Sequence, residues 1–128
     1  MKKLIFILVL TIFLLVCATI EIIFVNDIIS DLKNNIVSLN EKYESESTDI
    51  TYLYDDVITA QNNWNSRINF LSFLFNNKDL QCISDTFIRL AENTQQNEIN
   101  NAKTELALLN EYVQNSENSM AFNIQNVL

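Results

Sequence analysis

The chain has 128 residues, a length that predicts one domain, and it contains no Gly, no Pro and no His. Without Gly and Pro, Gly-rich phosphate loops and tight primed hairpins are excluded, since few other residues take positive φ cheaply, although the abundant Asn can partly stand in. Without His there is no Ser–His or Cys–His pair and no imidazole metal ligand. The net charge is −8.

The first predicted element is an apolar helix. Thirteen of the seventeen residues from Leu4 to Ile20 are Leu, Ile, Val or Phe, and none is charged. Side chains of that kind favour insertion into a bilayer by roughly 6 kcal/mol in sum. Glu21 interrupts the run, and Ile22, Ile23, Phe24 and Val25 resume it. At 1.5 Å per residue the helix covers about 26 Å to Ile20 and about 33 Å to Val25, against a hydrocarbon core of about 30 Å. Glu21 therefore falls near one edge of the core, where a carboxylate reaches the headgroups at modest cost. Residues 1–25 are expected to form the membrane anchor, with residues 4–25 in contact with lipid, and residues 26–128 the domain beyond it. Lys2 and Lys3 precede the span and the next basic residue is Lys33. The positive-inside rule then leaves the N-terminus cytoplasmic and the body extracytoplasmic, a single-pass arrangement in the cell membrane. A cleaved signal peptide ending near Val16-Cys17-Ala18 is the alternative, and a lipoprotein box at Leu14-Leu15-Val16-Cys17 a poorer one. All three place the body outside the cytoplasm.

From Asn26 onward six basic residues stand against fifteen acidic ones, a charge of −9. Such a body repels nucleic acid and anionic headgroups, so no nucleic-acid role is expected. The first amphipathic stretch runs from about Asp27 to Glu44, with Ile28, Leu32, Ile36, Leu39 and Tyr43 on one face. Nothing between Val25 and Asp27 breaks a helix, so this stretch can continue directly from the span. The link Glu44-Ser45-Glu46-Ser47-Thr48-Asp49 ends in good helix caps. Its oxygen-rich pattern is also compatible with weak Ca²⁺ binding, but it lacks the Gly and the spacing of a calcium loop.

The second helix carries Ile50, Tyr54, Val57, Gln61, Trp64, Ile68, Leu71 and Phe75 at alternating spacings of four and three. Asn76-Asn77-Lys78 ends it. Asp79 is the expected cap of a third helix, whose stripe is Leu80, Ile83, Phe87, Leu90 and Thr94. A fourth helix places Ile99, Ala102, Leu106, Leu109 and Val113 on one face. A polar break at Asn115–Ser119 is expected to separate it from a short tail, Met120 to Leu128. Shifting the second helix by 49 positions superposes Ile50 on Ile99, Val57 on Leu106 and Trp64 on Val113. That register fits either a duplicated helical hairpin or the superposition any two amphipathic helices allow. The predicted fold is all-α: an N-terminal transmembrane helix followed by a small antiparallel bundle of about four helices.

The pattern resembles the bacterial domain-of-unknown-function family 4363, found in Firmicutes. The resemblance spans essentially the whole chain. It rests on the short N-terminal span, Asp49 fifteen residues before Trp64, and the apolar run and polar turn Phe73-Leu74-Phe75-Asn76-Asn77-Lys78-Asp79-Leu80. It also rests on Arg89-Leu90, Glu105-Leu106 and the closing Asn126-Val127-Leu128. The chain has Ile50 where the family usually carries an aromatic, and Asn77 where it often carries a His. The resemblance implies a membrane-anchored extracytoplasmic helical protein with a possible YetF-like membrane partner, and it brings no catalytic residues.

No residue pattern here points to catalysis, and no enzyme, metal site or cofactor is expected. Asp55 and Asp56 are adjacent on a helix and point about 100° apart, as on a solvated face. Cys17 lies in the apolar run and Cys82 in the body, so a bond between them is not expected and Cys82 reads as a free, partly exposed thiol. No His and no evident cationic partner stands beside it to make it a nucleophile. The run from Phe70 to Phe75 is apolar nearly all round the helix, more than one bundle face covers. Either the bundle wraps it, or part of it meets a partner or the membrane surface. Trp64, Phe70, Phe73, Leu74 and Phe75 are therefore the candidate interaction surface, although Trp64 in mid-stripe equally suits a core position. The expected function is a non-catalytic, membrane-anchored module that binds another envelope or membrane protein. The alternative is an extracytoplasmic ligand-sensing bundle that acts through a partner.

Overall fold

A computed structural model describes residues 1–45 and 49–127, with residues 120–127 described by backbone alone. Four α-helices account for nearly all of it: α1 (Lys2–Glu44), α2 (Ile50–Leu74), α3 (Asn77–Gln95) and α4 (Ile99–Val127). No strand occurs among the described residues.

α1 is one uninterrupted helix of 43 residues. Its first part is apolar all round and exposed, and it is long and apolar enough to cross a membrane. The two Thr residues in this part satisfy their own hydroxyls: Thr11 donates to the Ile7 carbonyl and Thr19 to the Leu15 carbonyl, each at 2.8 Å. Polar groups closed on their own backbone are what a hydrocarbon surrounding requires. From Val25 onward the same helix changes character, and Val25, Ile28, Ile29, Leu32, Ile36, Leu39 and Tyr43 are buried.

Around this second half of α1 the helices form a closed ring in which α1 packs on α2 and α4, and α3 packs on α2 and α4. The ion pairs show that α1 and α2 are antiparallel. Asp31 meets Arg67 at 2.6 Å and Lys42 meets Asp56 at 2.7 Å, so eleven residues forward on α1 match eleven back on α2. Arg89 and Glu105 join α3 to α4 at 3.0 Å, and Lys33 and Glu117 join α1 to α4. Across α2 and α3 the link is a hydrogen bond, in which Trp64 Nε1 donates to Ser84 Oγ at 2.8 Å. Val57, Leu71, Ile83, Phe87, Leu90, Leu106, Leu109 and Val113 are completely buried in the middle.

The connections use local polar chemistry in place of Gly and Pro. Asp49 caps α2 by accepting from the Thr51 N–H at 3.0 Å. Asn76, and not Asp79 as expected, caps α3 by accepting from the Lys78 N–H at 2.9 Å, which leaves Asp79 in the first turn. Asn and Asp cap about equally well. The choice falls to Asn76 because α2 and Phe75 end in extended backbone immediately before it. Two residues past the end of α3 stands Asn97, a non-Gly residue at φ 60°. The Asn97 N–H donates to the Thr94 carbonyl and the Glu98 N–H to the Asn93 carbonyl, the paired bonds of a Schellman end. Asn has replaced the usual Gly because its short side chain tolerates the left-handed region.

The polar segment 115–119 does not interrupt α4, contrary to expectation. It contains no residue that breaks a helix, and Ser116 keeps the inward register at 4% exposure. The side chains of the expected tail lie outside the described residues, as do Glu46 and Thr48 of the oxygen-rich link.

Candidate functional site

The predicted apolar surface divides when α2 docks on α1. Trp64 is 2% exposed, with its one polar atom hydrogen-bonded to Ser84, so it is a core residue and no part of an open surface. The correction has a simple cause. The most buried positions of α2 are Leu53, Val57, Ala60, Trp64 and Leu71, and Trp64 lies on their line. Leu53 and Ala60 belong to this core although the heptad-like stripe passed beside them. A stripe read from Ile50 is rotated slightly from the face that packs, and Ile50, Tyr54 and Ile68 sit at its half-buried margin.

Beyond Trp64 the run splits by direction. Leu71 is completely buried. Phe70 is half-buried and lies edge-on to Phe24 of α1, with ring centroids 4.8 Å apart and planes at 79°. Phe75 turns back against the core as the chain reverses. Phe73 and Leu74 are left over: Phe73 is 88% exposed and Leu74 37%. The site that remains is therefore a two-residue apolar knuckle at the α2–α3 turn, flanked by Asn76, Asn77 and Lys78, all exposed.

The Phe24–Phe70 contact locates that knuckle along α1. Going from the contact toward the turn, α2 advances while α1 runs back toward its N-terminus, because the two are antiparallel. Phe73 stands three residues past Phe70, about 4.5 Å further on. The matching position on α1 is Glu21, in the apolar segment's terminal stretch. The turn thus lies beside the junction of the exposed apolar half of α1 and its buried half.

At the other end of the bundle sits a buried polar link. Thr94 Oγ1 donates to the Leu90 carbonyl at 2.7 Å, and the Tyr43 hydroxyl is hydrogen-bonded to the same Thr94 oxygen. The only proton on Thr94 Oγ1 is used on Leu90, so Tyr43 is the donor. Burial pushes the Tyr43 phenol above its ordinary pKa. This link ties α1 to α3 across the ring. Sequence periodicity marked both residues as facing inward but gave no sign that they meet.

The remaining candidates do not assemble into a site. Asp55 is exposed and Asp56 turns to Lys42, so the adjacent carboxylates diverge. Cys17 and Cys82 are each half-buried and unbonded. Among the described residues no three Cys, Asp or Glu side chains come together as metal ligands would. The exposed groove between α3 and α4, lined by Arg89, Glu92, Asn93, Asn101, Thr104 and Glu105, is spanned by the Arg89–Glu105 pair. No family model, curated protein or solved structure matches the chain.

Proposed function

We propose that the chain is a membrane-tethered, non-catalytic interaction module of the family-4363 type. Residues 4–25 cross the cell membrane with the N-terminus in the cytoplasm, and the bundle outside binds another envelope or membrane protein, a YetF-like protein being one such partner. The observation that supports this reading is the continuity of α1. One helix supplies both the exposed apolar segment and a full side of the bundle core. A bundle built on such a helix is held at a fixed height and orientation above the bilayer, which suits docking onto a neighbour that is itself in the membrane. Exposed apolar side chains on three helices, Val37 on α1, Tyr52 on α2 and Ile88 on α3, give such a partner points of contact.

Photo-crosslinkers placed one at a time at Val37, Tyr52 and Ile88 in cells test the reading. The expected result is a discrete adduct with one membrane or envelope protein from one face of the bundle and not the others. No discrete adduct from any position would refute the interaction role. A reporter fused to the C-terminus is expected to be active only outside the cytoplasm, and an intact mass including residues 1–25 is expected for an uncleaved anchor.

A further inference from the structure

We propose a second membrane contact: the α2–α3 turn dips Phe73 and Leu74 into the interfacial layer of the leaflet on the bundle's side, bracing the bundle against the bilayer that α1 crosses. This rests on the membrane reading of α1 and adds to it. Apolar exposure alone would not name the occupant. The position of the turn along α1 does. The hydrocarbon core, about 30 Å thick, takes about twenty residues of an upright helix. Counted from Leu4, the first residue of the apolar run, that reaches about Phe24. Phe24 is the residue whose ring touches Phe70. Phe73 lies about 4.5 Å and Leu74 about 6 Å further along the same direction, level with Glu21 and Ile20. An upright α1 thus holds both side chains at or just inside the hydrocarbon boundary.

Three features fit this environment. Ile20, Ile23 and Phe24 of α1 are exposed, and Phe24 meets α2 at Phe70, three residues before the exposed Phe73. The chain reverses at Phe75 and Asn76, which makes Phe73 and Leu74 the furthest apolar side chains of α2. Asn76, Asn77 and Lys78 follow at the reversal itself, all exposed, so polar groups stand beside the two apolar side chains and hold the turn to the interfacial layer, and Lys78 makes no ion pair among the described residues. An aromatic ring beside polar side chains is the pairing that membrane interfaces favour. Two side chains expose too little area for a protein interface of about 800 Å² per partner, but insertion into lipid needs no matched surface.

Trp64, the only Trp, is buried and serves as a silent background for fluorescence. The full chain is reconstituted in phosphatidylcholine vesicles as the unsubstituted protein and as F13W, F73W and I88W. Lipids brominated near the glycerol or near the chain ends are the apolar quenchers, and iodide is the aqueous one. F13W is expected to lose most of its added emission to deeply brominated lipid. F73W is expected to lose most of its added emission to lipid brominated near the glycerol, and little to iodide. I88W should respond to iodide alone. If F73W behaves as I88W while F13W remains lipid-quenched, the second contact is wrong and the anchor stands. If F13W is open to iodide, both readings fall. If F73W is protected from both quenchers, a second copy of the chain covers the turn and the proposal is overturned. L74W repeats the measurement from the neighbouring position.

Discussion

Replacing Thr94 with Val strands the Tyr43 hydroxyl in the core. Tyr43 is 4% exposed and Thr94 fully buried, so no water takes over the lost acceptor. A buried donor left unpaired costs about 1–3 kcal/mol. The Leu90 carbonyl loses a side-chain donor but keeps its place in the α3 helix, so most of the cost belongs to Tyr43. Replacing Tyr43 with Phe removes the donor instead and leaves Thr94 bonded to Leu90, so its expected cost is only about 1 kcal/mol. The double variant Y43F/T94V has neither partner. It is expected to be no less stable than T94V alone, because the second substitution removes the stranded group. With a urea slope of about 2 kcal/mol per M, a loss of about 2 kcal/mol lowers the T94V midpoint by about 1 M. Trp64 emission in detergent micelles reports the transition. If the double variant loses the sum of the two single losses, the hydroxyls are not coupled and the cross-ring link is refuted.

The same residue sets a pH dependence. Because burial holds the folded Tyr43 pKa above the unfolded value, the folded state retains a proton that the unfolded state releases, and stability is expected to fall as pH rises past about 10. Y43F should fall less steeply over that window, and parallel wild-type and Y43F profiles would refute the assignment. Leu106→Ala, at a fully buried position, is expected to cost about 2–5 kcal/mol, whereas Ile88→Ala, on the exposed face of α3, should stay within about 0.5 kcal/mol, both by urea denaturation. Asn97→Ala should cost about 1 kcal/mol, because Ala lacks the tolerance of Asn for φ 60°, and Asn97→Gly should be neutral or stabilising. Ser116 Oγ is buried with no hydrogen-bond partner among the described residues, so Ser116→Ala is expected to raise stability by about 1 kcal/mol, and a lowered melting temperature would refute that reading.

What the sequence determined by itself was everything governed by local periodicity and transfer energy. A run of thirteen Leu, Ile, Val and Phe in seventeen residues needs no tertiary information to be read as a helix suited to a bilayer. The stripes Ile28-Leu32-Ile36-Leu39-Tyr43 and Leu80-Ile83-Phe87-Leu90-Thr94 are buried throughout, since a helix with one apolar face has one way to turn. The cap at Asp49 and the use of Asn where Gly is missing follow from chemistry within a few residues.

Tertiary structure decided the matters that depend on which helix meets which. Phe70 and Phe73 are equally apolar and three residues apart, yet one is packed on Phe24 and the other is bare. Their fates differ because α1 passes one side of α2 and not the other. Trp64 moved from candidate surface to core for the same reason, once the packed face of α2 was seen to centre on Leu53, Val57 and Leu71. The pairing of Tyr43 with Thr94 joins positions 51 residues apart and has no local signature. The height of the α2–α3 turn is likewise a product of packing: only the antiparallel match of α1 with α2 carries Phe73 down to the level of Glu21.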